Sequence, residues 1–323
     1  MTIAATVDRW EPNPHVIAKA GRIIRAGGLV AFPTETVYGL GADALNPEAV
    51  KRIYAAKGRP SDNPLILHAE DAKQAAELVE FNQAASKLAA KFWPGPLTFV
   101  LPSKNIVPSE TRGGLDTAAV RVPNNPIALA LIHKAKTPIA APSANLSGKP
   151  SPTDAEAVLR DMNGRIDMII DGGSVKFGIE STVIDLTDPD SPLMLRPGGL
   201  PREEIENTLG VKLGFPDDVK RKRSPGTHYR HYAPSLPVKI WHKGDLLPEN
   251  SAYMGINRPD NLGDTPSILF ASTEDYAHGL FAGFRKFEND NHEVDCIFVE
   301  WPEDSSGLSE GLRDRISRAA GII

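Results

Sequence analysis

The chain has 323 residues, 41% hydrophobic and 24% charged, with a formal net charge of −5. That length suits two domains at roughly 100–200 residues each, and the apolar and charged fractions are those of a globular protein, so disorder is not the default. The acidic balance argues against a protein whose main task is coating nucleic acid, although a local basic cleft fits inside an acidic total.

Residues 1–10 carry Asp8 and Arg9 and lack the apolar core of a secretory signal. Ile17, Ala20, Ile23 and Ile24 predict a helix over 15–26, stopped by Gly27-Gly28. A buried strand over 29–32 ends at Pro33, and Pro47 opens a helix running to 57. A strand over 65–68 precedes helices over 72–79 and 84–92. Further strands are expected at 97–101, 118–122, 139–141, 168–170, 183–186 and 193–196, with helices at 127–134, 154–161 and 202–208. Strands and helices do not alternate strictly, so the fold class is α/β with a twisted mixed sheet and flanking helices, over residues 1–211. The longest apolar runs, such as 29–33 and 138–142, are strand-length and too short to span a membrane.

Residues 212–236 change character. Lys220-Arg221-Lys222-Arg223 is followed by Ser224-Pro225-Gly226 and a cluster of His and Tyr, which reads as a linker. Strands at 238–241, 253–256, 268–271 and 296–299, with helices at 276–287 and 308–320, predict a small parallel, doubly wound domain over 237–323. The single cysteine, Cys296, excludes an internal disulfide framework and a cysteine-rich zinc site. A cytoplasmic protein without membrane contact is the expectation.

Four stretches carry candidate chemistry. Pro33-Thr34-Glu35-Thr36-Val37-Tyr38-Gly39 sets hydroxyls and a carboxylate at a strand end, either as a ligand site or as a capped turn. Lys57-Gly58-Arg59 joins a point charge to a planar fork of donors, suited to a triphosphate or to the helix dipole alone. Pro142-Ser143-Ala144-Asn145 follows another strand and offers neutral donors, or an ordinary turn. Arg121 stands inside the apolar run Ala118-Ala119-Val120-Arg121-Val122, and a buried guanidinium needs an anion from the protein or from a ligand. Gly178-Ile179-Glu180-Ser181-Thr182 and Leu195-Arg196-Pro197 add hydroxyls and one more Arg near strand ends. Neither a P-loop nor a GxGxxG fingerprint is present.

Together these blocks resemble the threonylcarbamoyl-AMP synthase family in its two-domain form, with a YrdC-like domain over about 17–209 and a small Rossmann-like domain after it. The family's split KxR…SxN pattern appears as Lys57-Gly58-Arg59 and Ser143-Ala144-Asn145, and its linker signature as residues 224–234, Ser-Pro-Gly-Thr-His-Tyr-Arg-His-Tyr-Ala-Pro. The resemblance implies that L-threonine, bicarbonate and ATP form threonylcarbamoyl-AMP and pyrophosphate, and that the product feeds a separate transferase complex acting on transfer RNA. It also implies a threonine pocket of Thr36, His68, Arg121, Ala141 and Ser181. Nucleotide contacts would come from Arg59, Asn63, Thr117, Ser143, Asn145, Ser151, Arg196 and Tyr232. Lys57 and Arg59 would act on phosphate charge, and His68 would position rather than serve as a base. Mg²⁺ would accompany ATP through unidentified ligands, with no organic cofactor, and the linker would cross the active site as a lid. The competing readings are a double-stranded RNA-binding module, with Lys57, Arg59, Arg121 and Arg196 on phosphates and a weak RNA contact, and a carbamoyl adenylate former that starts from carbamoyl phosphate.

Overall fold

A computed structural model describes residues 2–224, 231–289 and 294–322. Within the linker signature, residues 225–230 lie outside the described residues.

The helices begin where local chemistry starts them. Asn13, Asn46 and Asn125 each accept backbone N–H groups at an N-cap, with a proline next, to open α1 (Pro14–Arg25), α2 (Pro47–Lys57) and α6 (Pro126–Ala135). Gly58 ends α2 in the left-handed conformation, φ 63°, which turns Arg59 away from the helix axis.

Ten strands form one mixed sheet. In chain order they are β1 (Ile3–Thr6), β2 (Val30–Pro33), β3 (Tyr38–Asp43), β4 (Ile66–His68), β5 (Leu97–Pro102), β6 (Thr117–Arg121), β7 (Ile139–Ala140), β8 (Met168–Asp171), β9 (Thr182–Asp185) and β10 (Leu193–Arg196). Their order across the sheet is β1-β8-β2-β3-β7-β4-β6-β5-β9-β10. The pair β4–β6 is parallel, whereas β2–β3 and β4–β7 are antiparallel.

Two faces follow from side-chain alternation. Ala31, Leu67, Val120 and Ile184 join a large core with α2, α3 (Ala72–Leu78), α4 (Gln83–Phe92), α7 (Ala155–Met162) and α8 (Arg202–Leu209). On the other face, Val30, Phe32, Ile139 and Met168 pack against α1 and α6. Beyond β7 this second face carries only a small apolar cluster of Ile66, Val100, Ala119, Val183 and Leu195. The candidate site lies there, where the covering helices stop.

The second sheet, β11 (Val238–Trp241), β12 (Ser251–Gly255), β13 (Ser267–Leu269) and β14 (Cys296–Glu300), has the order β11-β14-β12-β13 and is parallel throughout. The expected parallel α/β domain is present. Its helices are α10 (Thr273–Asn289) and α11 (Leu308–Ala319), whereas neither the β11–β12 nor the β12–β13 connection carries one, so the expected alternation of strand and helix holds only from β13 onward. Its core continues through Val37, Ile179 and Tyr232 to the rim of the site. Two further helices are α5 (Ser109–Arg112) and α9 (Asp218–Arg221), and β1 is an edge strand of the first sheet. Among the described residues no helix is long and apolar enough to cross a membrane.

Candidate active site

Four neighbouring strands build the cavity floor. Gly39 on β3, Ile66 and His68 on β4, Arg121 at the end of β6 and Ala141 just after β7 all line it. Thr34, Thr36 and Val37 enter from the β2–β3 turn, and Arg59 from beyond α2. Ser143, Glu180, Ser181 and Arg196 form another wall. The β9–β10 register shifts between Met194 and Arg196, a local irregularity of the kind that re-aims a side chain.

Arg121 is fully engaged. Its Nε donates to Gly95 O at 3.1 Å and Nη1 to Thr36 Oγ1 at 3.1 Å, while Nη2 stands 2.6 Å from Glu35 Oε1. Nη2 and both Glu35 oxygens are buried without an aligned hydrogen bond, so this contact is an ion pair by charge rather than by donor geometry. The sequence offered Arg121 a protein or a ligand anion, and the structure supplies Glu35.

Lys57 and Arg59 differ. Lys57 Nζ donates to Ser143 O and Asn145 O, which ties the first motif to the second. Arg59 donates to Asn63 O, Asn63 Oδ1 and Pro64 O. Among the described residues neither cation has a carboxylate within ion-pair distance, and both are buried. Burial first, and each other's neighbourhood next for Lys57, holds Lys57 well below the usual lysine range; burial also brings Arg59 down to about 10. Buried positive charge of this kind is relieved by an anionic ligand.

His68 is buried with Nδ1 unpartnered, and its ring meets Phe32 edge-on at 6.3 Å. Burial, then Arg121, pushes the imidazole down to about 3. It is neutral near pH 7 and suited to hydrogen bonding rather than to charge. Ser181 Oγ bonds Thr98 Oγ1 at 2.8 Å, and Arg196 Nη2 donates to Ser181 O at 2.9 Å.

All but one of the expected residues fall in two groups. Thr36, Arg59, His68, Arg121, Ala141, Ser143, Ser181, Arg196 and Tyr232 border the cavity. Lys57, Asn63, Asn145 and Ser151 stand behind it, each holding a bordering residue: Asn145 Oδ1 accepts from Ser143 Oγ, and Ser151 Oγ donates to Glu180 Oε1. Thr117 begins β6, roughly 13 Å along the strand from Arg121, and its hydroxyl is buried without a partner. Glu35 and Glu180 lie in the motifs, yet the sequence does not show that they pair with Arg121 and Arg315. A carboxylate between an apolar residue and a site hydroxyl, as in Ile179-Glu180-Ser181, was the available signal.

The cavity is about 60 Å³, room for a few waters and far below the ~300–1,000 Å³ of ligand pockets. His231 and Tyr232 close it. Tyr232 takes a left-handed backbone, φ 65°, which costs a bulky residue ~1–3 kcal/mol. Its ring is held by Phe281 at 5.2 Å and by the Arg315 guanidinium at 5.3 Å. Burial, followed by Arg59 and Lys57, takes His231 down to about 3.

Residues 22–198 match a family model described as telomere recombination (Sua5, YciO and YrdC), and residues 200–321 match one described as the threonylcarbamoyl-AMP synthase C-terminal domain. The threonylcarbamoyl-AMP synthase of Pyrococcus abyssi is 45% identical over 339 residues, covering 99% of this chain and 97% of that protein. The chain belongs to the threonylcarbamoyl-AMP synthase family. Its Bacillus subtilis relative is 43% identical, covering 97% of this chain and 95% of that one. The crystal structure of P. abyssi Sua5 complexed with L-threonine superposes with a TM-score of 0.89 at 42% identity, covering 99% and 98% of the two chains. The family assignment matches the resemblance read from the KxR…SxN and linker motifs.

Proposed function

We propose that this member of the threonylcarbamoyl-AMP synthase family joins L-threonine, bicarbonate and ATP into threonylcarbamoyl-AMP, as a nucleotidyltransferase releasing pyrophosphate. The observation that carries this reading is the pair Lys57 and Arg59, buried cations with oxygen partners but no carboxylate within ion-pair distance among the described residues, beside a second pole centred on Arg121. One pole suits a triphosphate and the other an amino-acid carboxylate.

The threonine amine attacks bicarbonate carbon, and loss of water leaves a carbamate. A carbamate oxygen then attacks the α-phosphorus of ATP, its bond to the β-phosphate oxygen breaks, and pyrophosphate leaves. No protein nucleophile is needed. The protein's task is to bring anions together and stabilise phosphate charge. Arg121 and Thr36 would hold the threonine carboxylate and hydroxyl side, with Ala141 and Ile66 beside its methyl group. Arg59, Ser143 and Arg196 would bind phosphate oxygens, with Lys57 fixing the Ser143–Asn145 turn.

Magnesium enters as the companion of ATP. Among the described residues no group of three or more His, Cys, Asp or Glu side chains is arranged to hold a metal, so phosphate oxygens and water supply its ligands in this reading. The domains are a catalytic one over 1–211, a linker over 212–236 and a C-terminal one over 237–323. The linker acts as a lid: His231 and Tyr232 close the cavity and move aside to admit substrates, and closure over the bound substrates excludes water from the carbamate and adenylate. The product passes to a transfer-RNA threonylcarbamoyl transferase complex, which places the work in the cytoplasm.

Isothermal titration with L-threonine tests this against the RNA-binding reading. Saturable binding to the purified chain supports the synthase. Tight binding of double-stranded RNA with no threonine heat supports the alternative.

A further inference from the structure

We propose that Arg315, on α11 of the C-terminal domain, is a positioning residue for the nucleotide side of the site, acting through Glu180 on Ser151. The inference rests on the reading of Ser151, Arg196 and Tyr232 as nucleotide contacts. It gives the C-terminal domain a part in the reaction beyond anchoring the linker.

Arg315 is fully buried although it sits on the second domain. Its guanidinium reaches three places at once. Nε lies 2.7 Å from Glu180 Oε2, Nη1 donates to Pro197 O at 2.9 Å, and the group stands 5.3 Å from the centre of the Tyr232 ring. Each contact adjoins one proposed nucleotide residue. Glu180 holds Ser151 through its other oxygen, Pro197 follows Arg196, and Tyr232 is itself the third.

The geometry around this arginine is rigid. A Cβ on Gly311 would sit 3.2 Å from the Gly198 backbone and 3.1 Å from Ile179, so α11 lies hard against the wall that carries Glu180. Asp314 pairs with Arg315 at 2.6 Å and with Arg318 at 3.0 Å. From the other helix, Arg285 pairs with Asp161 at 2.9 Å and donates to Pro150 O, one residue before Ser151. Two helices of the C-terminal domain thus hold the two segments that the Ser151–Glu180 bond joins.

Charge explains why an arginine is needed there. Glu180 borders the cavity, and a bare carboxylate facing a triphosphate repels it. Arg315 cancels that charge while leaving one carboxylate oxygen to orient the Ser151 hydroxyl. Arg196 also faces Glu180, and together Arg315, Arg196 and the Ser151 bond keep its carboxyl below the usual range against the opposing effect of burial. Arg202 and Glu310 pair across the same domain boundary at 2.7 Å and neither borders the cavity, which makes Arg202 a control for docking alone.

The test uses the full-length chain. ATP binding by calorimetry and KM values for ATP and threonine are measured for wild type, Arg315→Met, Arg315→Lys, Arg202→Gln and the double variant Arg315→Met with Glu180→Gln. The expected result is an ATP KM raised by about tenfold or more in Arg315→Met, with threonine KM within about twofold and Arg202→Gln at wild-type values. The double variant recovers much of the loss, because the repelling charge has gone with its partner. Should Arg315→Met not fold, Arg315→Gln takes its place with the same expected rise in ATP KM, and a wild-type ATP KM in Arg315→Gln overturns the proposal; Arg315→Lys, which keeps the charge, stays nearer to wild type than either. Matching ATP KM values for Arg315→Met and Arg202→Gln in an active enzyme overturn this inference alone. A wild type that neither binds ATP nor releases pyrophosphate overturns the functional reading and the inference together.

Discussion

Glu35 and Arg121 are neutralised by each other in a place where neither is reached by solvent, their nearest atoms 2.6 Å apart and both side chains 3% exposed. They come from different elements, the β2–β3 turn and the end of β6, and Arg121 lines the cavity while Glu35 stands behind it. With Thr36 and Gly95 O also bound, every guanidinium nitrogen of Arg121 already has a neighbour. A carboxylate ligand therefore competes with Glu35 for the same charge.

That competition has a sign. Arg121→Lys removes the planar fork and weakens threonine binding by roughly 10–150-fold, the scale of a lost charged hydrogen bond. Glu35→Gln leaves the guanidinium without its carboxylate and tightens threonine binding, while lowering stability because an uncompensated buried charge is left behind. Calorimetric titration of the two variants checks both directions. A normal threonine affinity in Arg121→Lys would exclude Arg121 from the carboxylate site.

His68 sets an acid limit on stability. Its folded value is about 3 against an ordinary 6.5, so between those values the unfolded chain binds a proton that the native chain refuses. Stability is full above pH 6.5 and falls as pH drops towards 3. The loss between pH 7 and pH 5 is about 2 kcal/mol from this histidine. Urea unfolding at those two pH values measures it, and His68→Gln removes that part of the slope. An unchanged slope in the variant would mean that His68 titrates normally in the fold.

Val37, Ile66 and Ala141 border the cavity and form its apolar wall. A single methyl group in such a patch is worth ~10–200-fold in kcat/KM, which is the expected preference for threonine over serine. Ala141→Val fills the space that the methyl occupies and brings the two substrates closer together. Pyrophosphate release with each amino acid gives the ratio, and a ratio unmoved by Ala141→Val would place the methyl elsewhere.

Most elements were legible because local chemistry marks them. Asn-Pro starts and the Gly58 stop fix α2 to within a residue, and buried runs cut by proline fix β2 and β5. Two strands were not. β3 alternates glycine with large residues, and a Cβ on Gly41 would meet the Phe32 ring at 2.7 Å and Ile139 at 2.8 Å; the missing side chains that let the strand pack also erase its pattern. β1 is a four-residue edge strand with only one residue that is not exposed, so no apolar face announces it.

The site was legible as motifs but not as a geometry. Lys57 was expected on phosphate, yet its ammonium bonds two carbonyls of the 143–145 turn, a link made across 86 and 88 residues that composition cannot show. Arg315 lies 135 residues from Glu180. Its one local sign is its place on α11 beside the apolar Leu312, Ile316 and Ala319, on a buried face that it shares with Arg318.

Incubation with ATP, magnesium, L-threonine and carbon-13 bicarbonate, read by mass spectrometry, is the most direct test of the chemistry. The account predicts an adenylated threonine carbamate carrying one labelled carbon, formed together with one pyrophosphate and only when threonine is present. Pyrophosphate released without threonine, or an adenylated product without the label, would contradict it.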